Sequence, residues 1–138
     1  MSATAPPARL VMSRSKARRF GLAAVLVVFG MEVAAALGCG VPAEAETVLL
    51  RLLWLLIPLS PALVALFTPN PLCAVAAAIP VATFIAYAYH VDCIRPYEGG
   101  GASMIYIAVW FYGFLSAAAA ALLAIPLLRF FRVRVGAG

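Results

Sequence analysis

The apolar positions of this chain run on without alternating with polar ones. Four stretches stand out: 20–38 (FGLAAVLVVFGMEVAAALG), 47–67 (TVLLRLLWLLIPLSPALVALF), 72–90 (LCAVAAAIPVATFIAYAYH) and 102–128 (ASMIYIAVWFYGFLSAAAAALLAIPLL). Each is close to or above the ~20 residues that a helix needs to cross a ~30 Å hydrocarbon core. Spanning strands would be about ten residues long and strictly alternating. These runs are neither, and Leu and Ala, both good helix formers, dominate them. The pattern predicts four spanning helices between polar tails at 1–19 and 129–138. The links are short, CGVPAEAE, TPNP and VDCIRPYEGGG. Short links join antiparallel neighbours. The expected fold is all-α, one four-helix antiparallel bundle in a membrane, with no internal repeat and no second domain.

Composition strengthens this reading. The chain has 138 residues, 66% of them hydrophobic, and a mean hydropathy of +1.07. A soluble domain is about half apolar, and a chain this short cannot hide the excess from water. A lipid bilayer is therefore its first partner. The net charge of +5 does not indicate a nucleic-acid surface, because the basic residues sit at the two ends. Arg9, Arg14, Lys16, Arg18 and Arg19 precede the first run, and Arg129, Arg132 and Arg134 follow the last. Four spans put both tails on one side, and the positive-inside rule makes that side cytoplasmic. The Ala- and Arg-rich composition points to a bacterial inner membrane. SKARRF, an apolar run and AALGCG resemble a signal peptide, with Cys39 at a lipoprotein-type position. Three further spans behind it argue for a retained first span instead.

The chemistry-bearing residues are few. Cys39 and Cys93 fall at the outer, oxidising face and Cys73 at the inner one, so a Cys39–Cys93 bridge with Cys73 free is expected. There is no C-x-x-C pair to suggest a thiol oxidoreductase. The single histidine, His90, and the lack of ligand spacing argue against a metal site, and no cofactor set is visible. His90 is expected to cap the third span. The three glycines of EGGG have no preceding strand and no Lys-Ser/Thr, as a nucleotide loop requires. They read as a turn back into the membrane, with Ser103 as N-cap of the fourth span and Glu98 complementing its dipole. Asp92, Arg95 and Glu98 alternate in sign. With His90 they form a candidate recognition surface on the 91–101 outer loop, or otherwise a solvated, self-compensating charge set.

Glu32 is the costly residue, about 10 Å below the outer end of the first span by helical rise. A charge at such depth defaults to a functional reading. Arg51 enters the second span from the same side, so the expectation is either a Glu32–Arg51 ion pair or a coupling carboxylate. Pro58, Pro61 and Pro80 interrupt the second and third spans, as in transporter helices. Gly113, Ala117 and Ala121, like Gly30, Ala34 and Gly38, recur every four residues and suit close helix packing. Tyr106 and Trp110 read as interfacial or packing residues.

Four spans with an acid in the first resemble the layout of the small multidrug resistance transporters. The resemblance ends at layout. Here the acid has an arginine within reach, Trp110 is in the fourth span, and the outer loop is long. The reading that follows is a non-enzymatic membrane protein of immunity or accessory-subunit type, working by contact with a protein partner or as a homo-oligomer. The alternative is a proton- or cation-coupled transporter using Glu32 as a homodimer, and a membrane enzyme ranks third.

Overall fold

A computed structural model describes residues 10–40, 44–95 and 104–136. Four helices carry the chain: α1 (Arg14–Gly38), α2 (Ala45–Phe67), α3 (Leu72–Tyr89) and α4 (Ile105–Phe130). All four are long and apolar enough to cross a membrane. A π-helical turn, His90–Ile94, prolongs α3. Two short strands, β1 (Leu10–Ser13) and β2 (Val133–Gly136), pair in parallel, with Leu10 opposite Val133 and Ser13 opposite Gly136.

Contacts at the helix ends fix the directions. Glu32, late in α1, meets Arg51, early in α2. Arg14, at the start of α1, meets the Phe67 and Thr68 carbonyls at the end of α2. These two helices are therefore antiparallel. Cys39 and Cys93 join the far ends of α1 and α3, and Trp54 and Trp110 the early parts of α2 and α4. Successive helices thus alternate in direction. The β1–β2 pair brings both chain ends to one end of the bundle. Helices α2 and α3 pack on each other and on both remaining helices, while α1 and α4 lie on opposite sides.

Element boundaries depart from the hydropathy pattern at both tails. Helix α1 begins at Arg14, six residues before the apolar run. The Ser13 hydroxyl accepts from the Lys16 N–H at 3.4 Å and supplies the N-cap. At about 1.5 Å per residue α1 is longer than a hydrocarbon core is thick, so its basic first turns need not enter one. Hydropathy marks where lipid begins, whereas the cap marks where the helix begins. Helix α4 starts at Ile105 after Met104, which caps without a side-chain bond. Ser103, Glu98 and the glycines 99–101 lie outside the described residues. Beyond Phe131 the chain turns through Arg132, at φ +55°, and its N–H bonds the Arg129 carbonyl at 3.0 Å. It then enters β2, an element the tail reading did not foresee.

The core is built of small residues. In α1, Gly21, Val25, Val28, Glu32 and Ala35 form a buried stripe at three- and four-residue steps. In α3 the stripe runs through Ala74, Ala77, Val81, Ile85 and Ala88. Gly113 and Ala117 line the buried face of α4 as their spacing suggests. A Cβ on Gly113 would come within 3.1 Å of Pro58. Gly30 and Ala34 instead face outward, because the stripe through Gly21 and Glu32 takes the inner face. The outward faces are as apolar as the core, with Leu26, Val64, Ile79, Phe111 and Leu122 all exposed.

Prolines do not break the helices. Pro61 deprives the Ile57 carbonyl of its helical donor, and the Ser60 hydroxyl donates to that carbonyl at 2.8 Å. Pro58, Pro80 and Pro126 are likewise inside continuous helices.

The tightest helix crossing yields a paired prediction. A Cβ on Gly21 would meet Leu66 Cδ2 at 2.6 Å and the Pro71 carbonyl oxygen at 2.9 Å. Gly21→Ala is expected to destabilise the bundle by about 1–3 kcal/mol, the usual cost of overpacking. Gly30→Ala, with nothing within 4 Å of its Cβ, is expected to be neutral or slightly stabilising through helix propensity. Unfolding of the two variants in detergent micelles checks the pair.

Candidate functional site

The chemistry-bearing side chains gather at the end of the bundle opposite the tails. Helical periodicity turns Glu32 inward on the stripe that carries Val28 and Ala35, and it is 6% exposed. Arg51 lies in the second turn of α2. Its Nη1 donates to Glu32 Oε1 at 3.2 Å, and its side chain keeps 28% exposure. The Arg51 guanidinium also lies 4.9 Å from the centre of the Tyr106 ring on α4, within cation–π range. One side chain thereby joins three helices. One turn along, Trp54 of α2 stacks on Trp110 of α4, with centroids 4.6 Å apart and planes 14° from parallel.

The role of Tyr106 and Trp110 was not apparent from their spacing alone. A usable signal was nonetheless present. Arg51 and Trp54 are one turn apart on α2, and Tyr106 and Trp110 one turn apart on α4. Two such pairs at the same level of parallel helices are placed to meet in register.

The second tie is covalent. Cys39 is the C-cap residue of α1 and Cys93 lies within the π-helical turn after α3. They form a disulfide with Cα atoms 5.2 Å apart, and Cys73 is free and buried. Tyr89 packs beneath the bridge, where a Cβ on Gly38 would touch its ring at 3.0 Å. His90 is the C-cap residue of α3, as expected, but the chain does not leave the helical path there. His90 keeps helical geometry, φ −61° and ψ −45°, and the helical path continues to Ile94. The first part of the 91–101 segment is therefore a helical turn and not loop.

The turn closes with the Arg95 N–H on the His90 carbonyl at 2.9 Å. His90 and Arg95 are exposed and Asp92 is partly so. Among the described residues, none of these three side chains has an ion-pair or hydrogen-bond partner. Glu98, the fourth member of the candidate recognition set, lies outside the described residues. Also among the described residues, no three His, Cys, Asp or Glu side chains come together as a metal-binding group.

Chemically, the end offers a paired internal charge, an aromatic stack and a covalently fixed polar turn. No known protein family, curated protein or solved structure matches the chain.

Two outcomes test the geometry. Arg51→Met leaves Glu32 buried without a cation. It is expected to cost about 3 kcal/mol, near the lower end for a broken buried pair because Arg51 is partly exposed. Adding Glu32→Gln is expected to recover part of that loss, and a double-mutant cycle of unfolding midpoints measures the coupling. For the bridge, non-reducing peptide mapping is expected to find Cys39 linked to Cys93 and Cys73 alkylatable after unfolding. Replacing Cys39 and Cys93 by Ser is expected to lower stability by about 2–4 kcal/mol.

Proposed function

We propose that this chain is a non-enzymatic protein of a bacterial inner membrane that works by contacting another protein in or just outside the membrane, as an immunity protein or accessory subunit does. The observation that carries this reading is the turn bearing His90, Asp92 and Arg95. It is fixed to α1 by a disulfide and presents ionisable side chains without ion-pair or hydrogen-bond partners among the described residues. A surface held in place before a partner arrives loses less freedom on binding, which favours affinity and selectivity.

The proposed orientation puts both tails in the cytoplasm and the Cys39–Cys93 end outside. Two independent features support it. Among the described residues, the seven basic residues of the tails, Arg14, Lys16, Arg18, Arg19, Arg129, Arg132 and Arg134, gather at the end where β1 and β2 pair, in line with the positive-inside rule. The bridge lies at the other end, where an oxidising compartment would sustain it, while the unbridged Cys73 lies near the tails.

The transporter alternative needs Glu32 free to exchange a proton or cation. Its engagement by Arg51 and the Tyr106 ring over that arginine favour a structural role. A membrane enzyme has less support, since among the described residues no nucleophile and base side chains are hydrogen-bonded to each other.

The test is affinity capture in mild detergent after cross-linking on intact cells. A partner protein captured by the wild type is expected to be lost in the triple variant His90→Ala/Asp92→Ala/Arg95→Ala. It is expected to be kept in Glu44→Ala/Glu46→Ala, which alters charges at the same end but off the turn. Proton-driven flux in proteoliposomes that vanishes in Glu32→Gln at unchanged protein abundance would overturn the reading in favour of transport.

A further inference from the structure

The tail end of the bundle has a site of its own. Between α1 and α2 opens a cleft of about 810 Å³. Arg14, Ser15, Arg18 and Arg19 supply its polar lining, and Leu22, Leu63 and Phe67 belong to its apolar lining. The three arginines are not equivalent. Arg14 donates from Nη2 to the Phe67 and Thr68 carbonyls at 3.4 and 3.3 Å, closing the C-terminal end of α2. Arg18 places its guanidinium 5.3 Å from the centre of the Phe67 ring. Neither Arg18 nor Arg19 has a hydrogen-bond acceptor or an acidic partner among the described residues.

Among the described residues no acid is placed to supply one. The four described acids, Glu32, Glu44, Glu46 and Asp92, are late in α1, at the start of α2, or after α3. The guanidinium fork matches the oxygens of a phosphate. The apolar side of the cleft includes the exposed side chains of Leu22 and Phe67, and Leu26, one turn on from Leu22, is exposed as well. From Arg18 to Leu22 the helix rises only about 6 Å, the scale on which a phospholipid passes from headgroup to acyl chain.

We propose that this cleft binds one anionic phospholipid. Arg18 and Arg19 hold its phosphate, Arg14 adds positive field while closing α2, and an acyl chain lies against Leu22, Leu63 and Phe67. Charge complementarity selects the headgroup, and the apolar wall makes the occupant a lipid and not a soluble phosphate. The proposal rests on the chain being embedded in a membrane, but not on its having a protein partner.

Embedding is read first, as retention of the full chain in membranes after an alkaline carbonate wash. Release by the wash would overturn the embedding and the proposal with it. The retained protein is then delipidated in mild detergent and offered phosphatidylglycerol or phosphatidylcholine with the same acyl chains, and bound lipid is counted by native mass spectrometry. The expected result is one retained phosphatidylglycerol, preferred over phosphatidylcholine by about tenfold or more.

Arg18→Gln/Arg19→Gln is expected to bring that preference to within about twofold, since basic groups at a membrane surface act nearly additively. Arg132→Gln/Arg134→Gln, at the same end but off the cleft, is expected to keep it. An intact Cys39–Cys93 bridge and a monodisperse profile confirm that each variant is folded. Should the double variant not fold, Arg19→Gln alone, at an exposed side chain, is expected to lower the preference severalfold. Equal retention of the two lipids by the wild type, an unchanged preference in the folded Arg18/Arg19 variants, or displacement of the lipid by millimolar inorganic phosphate would each overturn the proposal.

Discussion

Helices whose outward faces are as apolar as their inward ones gain little from hydrophobic burial when they associate. In such a bundle association depends on close packing and on the few polar contacts that have no better partner. This constraint explains the composition of the core. The inner stripes of α1, α3 and α4 are mostly Gly, Ala and Val, and α2 fills the space between them with Leu55, Pro58, Leu59 and Leu66. Small residues bring backbones close enough for dispersion contacts to accumulate. Gly21 against Leu66 and Pro71, and Gly113 against Pro58, mark the closest approaches.

Close packing alone leaves helices free to slide, and the polar ties sit where they prevent it. At one end the Glu32–Arg51 pair, the Tyr106 ring and the Cys39–Cys93 bridge engage all four helices between them. At the other, Arg14 closes α2 and the β1–β2 pair holds the two chain ends together. The middle third of the bundle is held by shape alone. The division follows from the solvent. A polar tie near an end can keep one side chain wet, as Arg51 does, whereas a tie in the middle would have to be fully desolvated.

Much of this was legible in the sequence, and the reasons differ by element. The four helices follow from the length and continuity of the apolar runs, which no other element satisfies. The Cys39–Cys93 pairing follows from topology, since only those two thiols fall at the same end. The Glu32–Arg51 contact follows from a short link and from the cost of leaving either charge unpaired. What escaped was set by geometry that hydropathy does not encode. The polar start of α1 is specified by Ser13 capping, not by apolar content. The β1–β2 pair arises because two valine-bearing tails leave the bundle side by side. The outward position of Gly30 and Ala34 was hidden by the abundance of small residues, which made more than one stripe plausible until Glu32 selected the inner face. The helical continuation through His90–Ile94 was masked by its polar residues, which resemble a loop to any scale that counts only hydropathy.

The two ends of the molecule differ in what they leave unsatisfied, and that difference orders its surfaces. At the bridged end the buried charge is neutralised internally, which leaves the exposed turn, with Glu44 and Glu46 at the same end, as the charged surface among the described residues. At the tail end the described residues include seven cations and no acid, which is what makes an external counter-charge a fit for the cleft. A fixed, mixed-sign turn suits recognition of one shaped partner, because both its position and its pattern can be matched. A cleft of arginines beside an apolar wall suits a class of small amphiphiles, because a phosphate and an acyl chain satisfy it whatever else the molecule carries. Helix α1 contributes to both, through Cys39 at one end and Arg18 and Arg19 at the other. Its inner stripe is continuous between them, from Gly21 to Ala35. Any shift of α1 along its axis would therefore meet resistance at Gly21, at Glu32 and at the bridge together, which is why the two surfaces are held at a fixed separation.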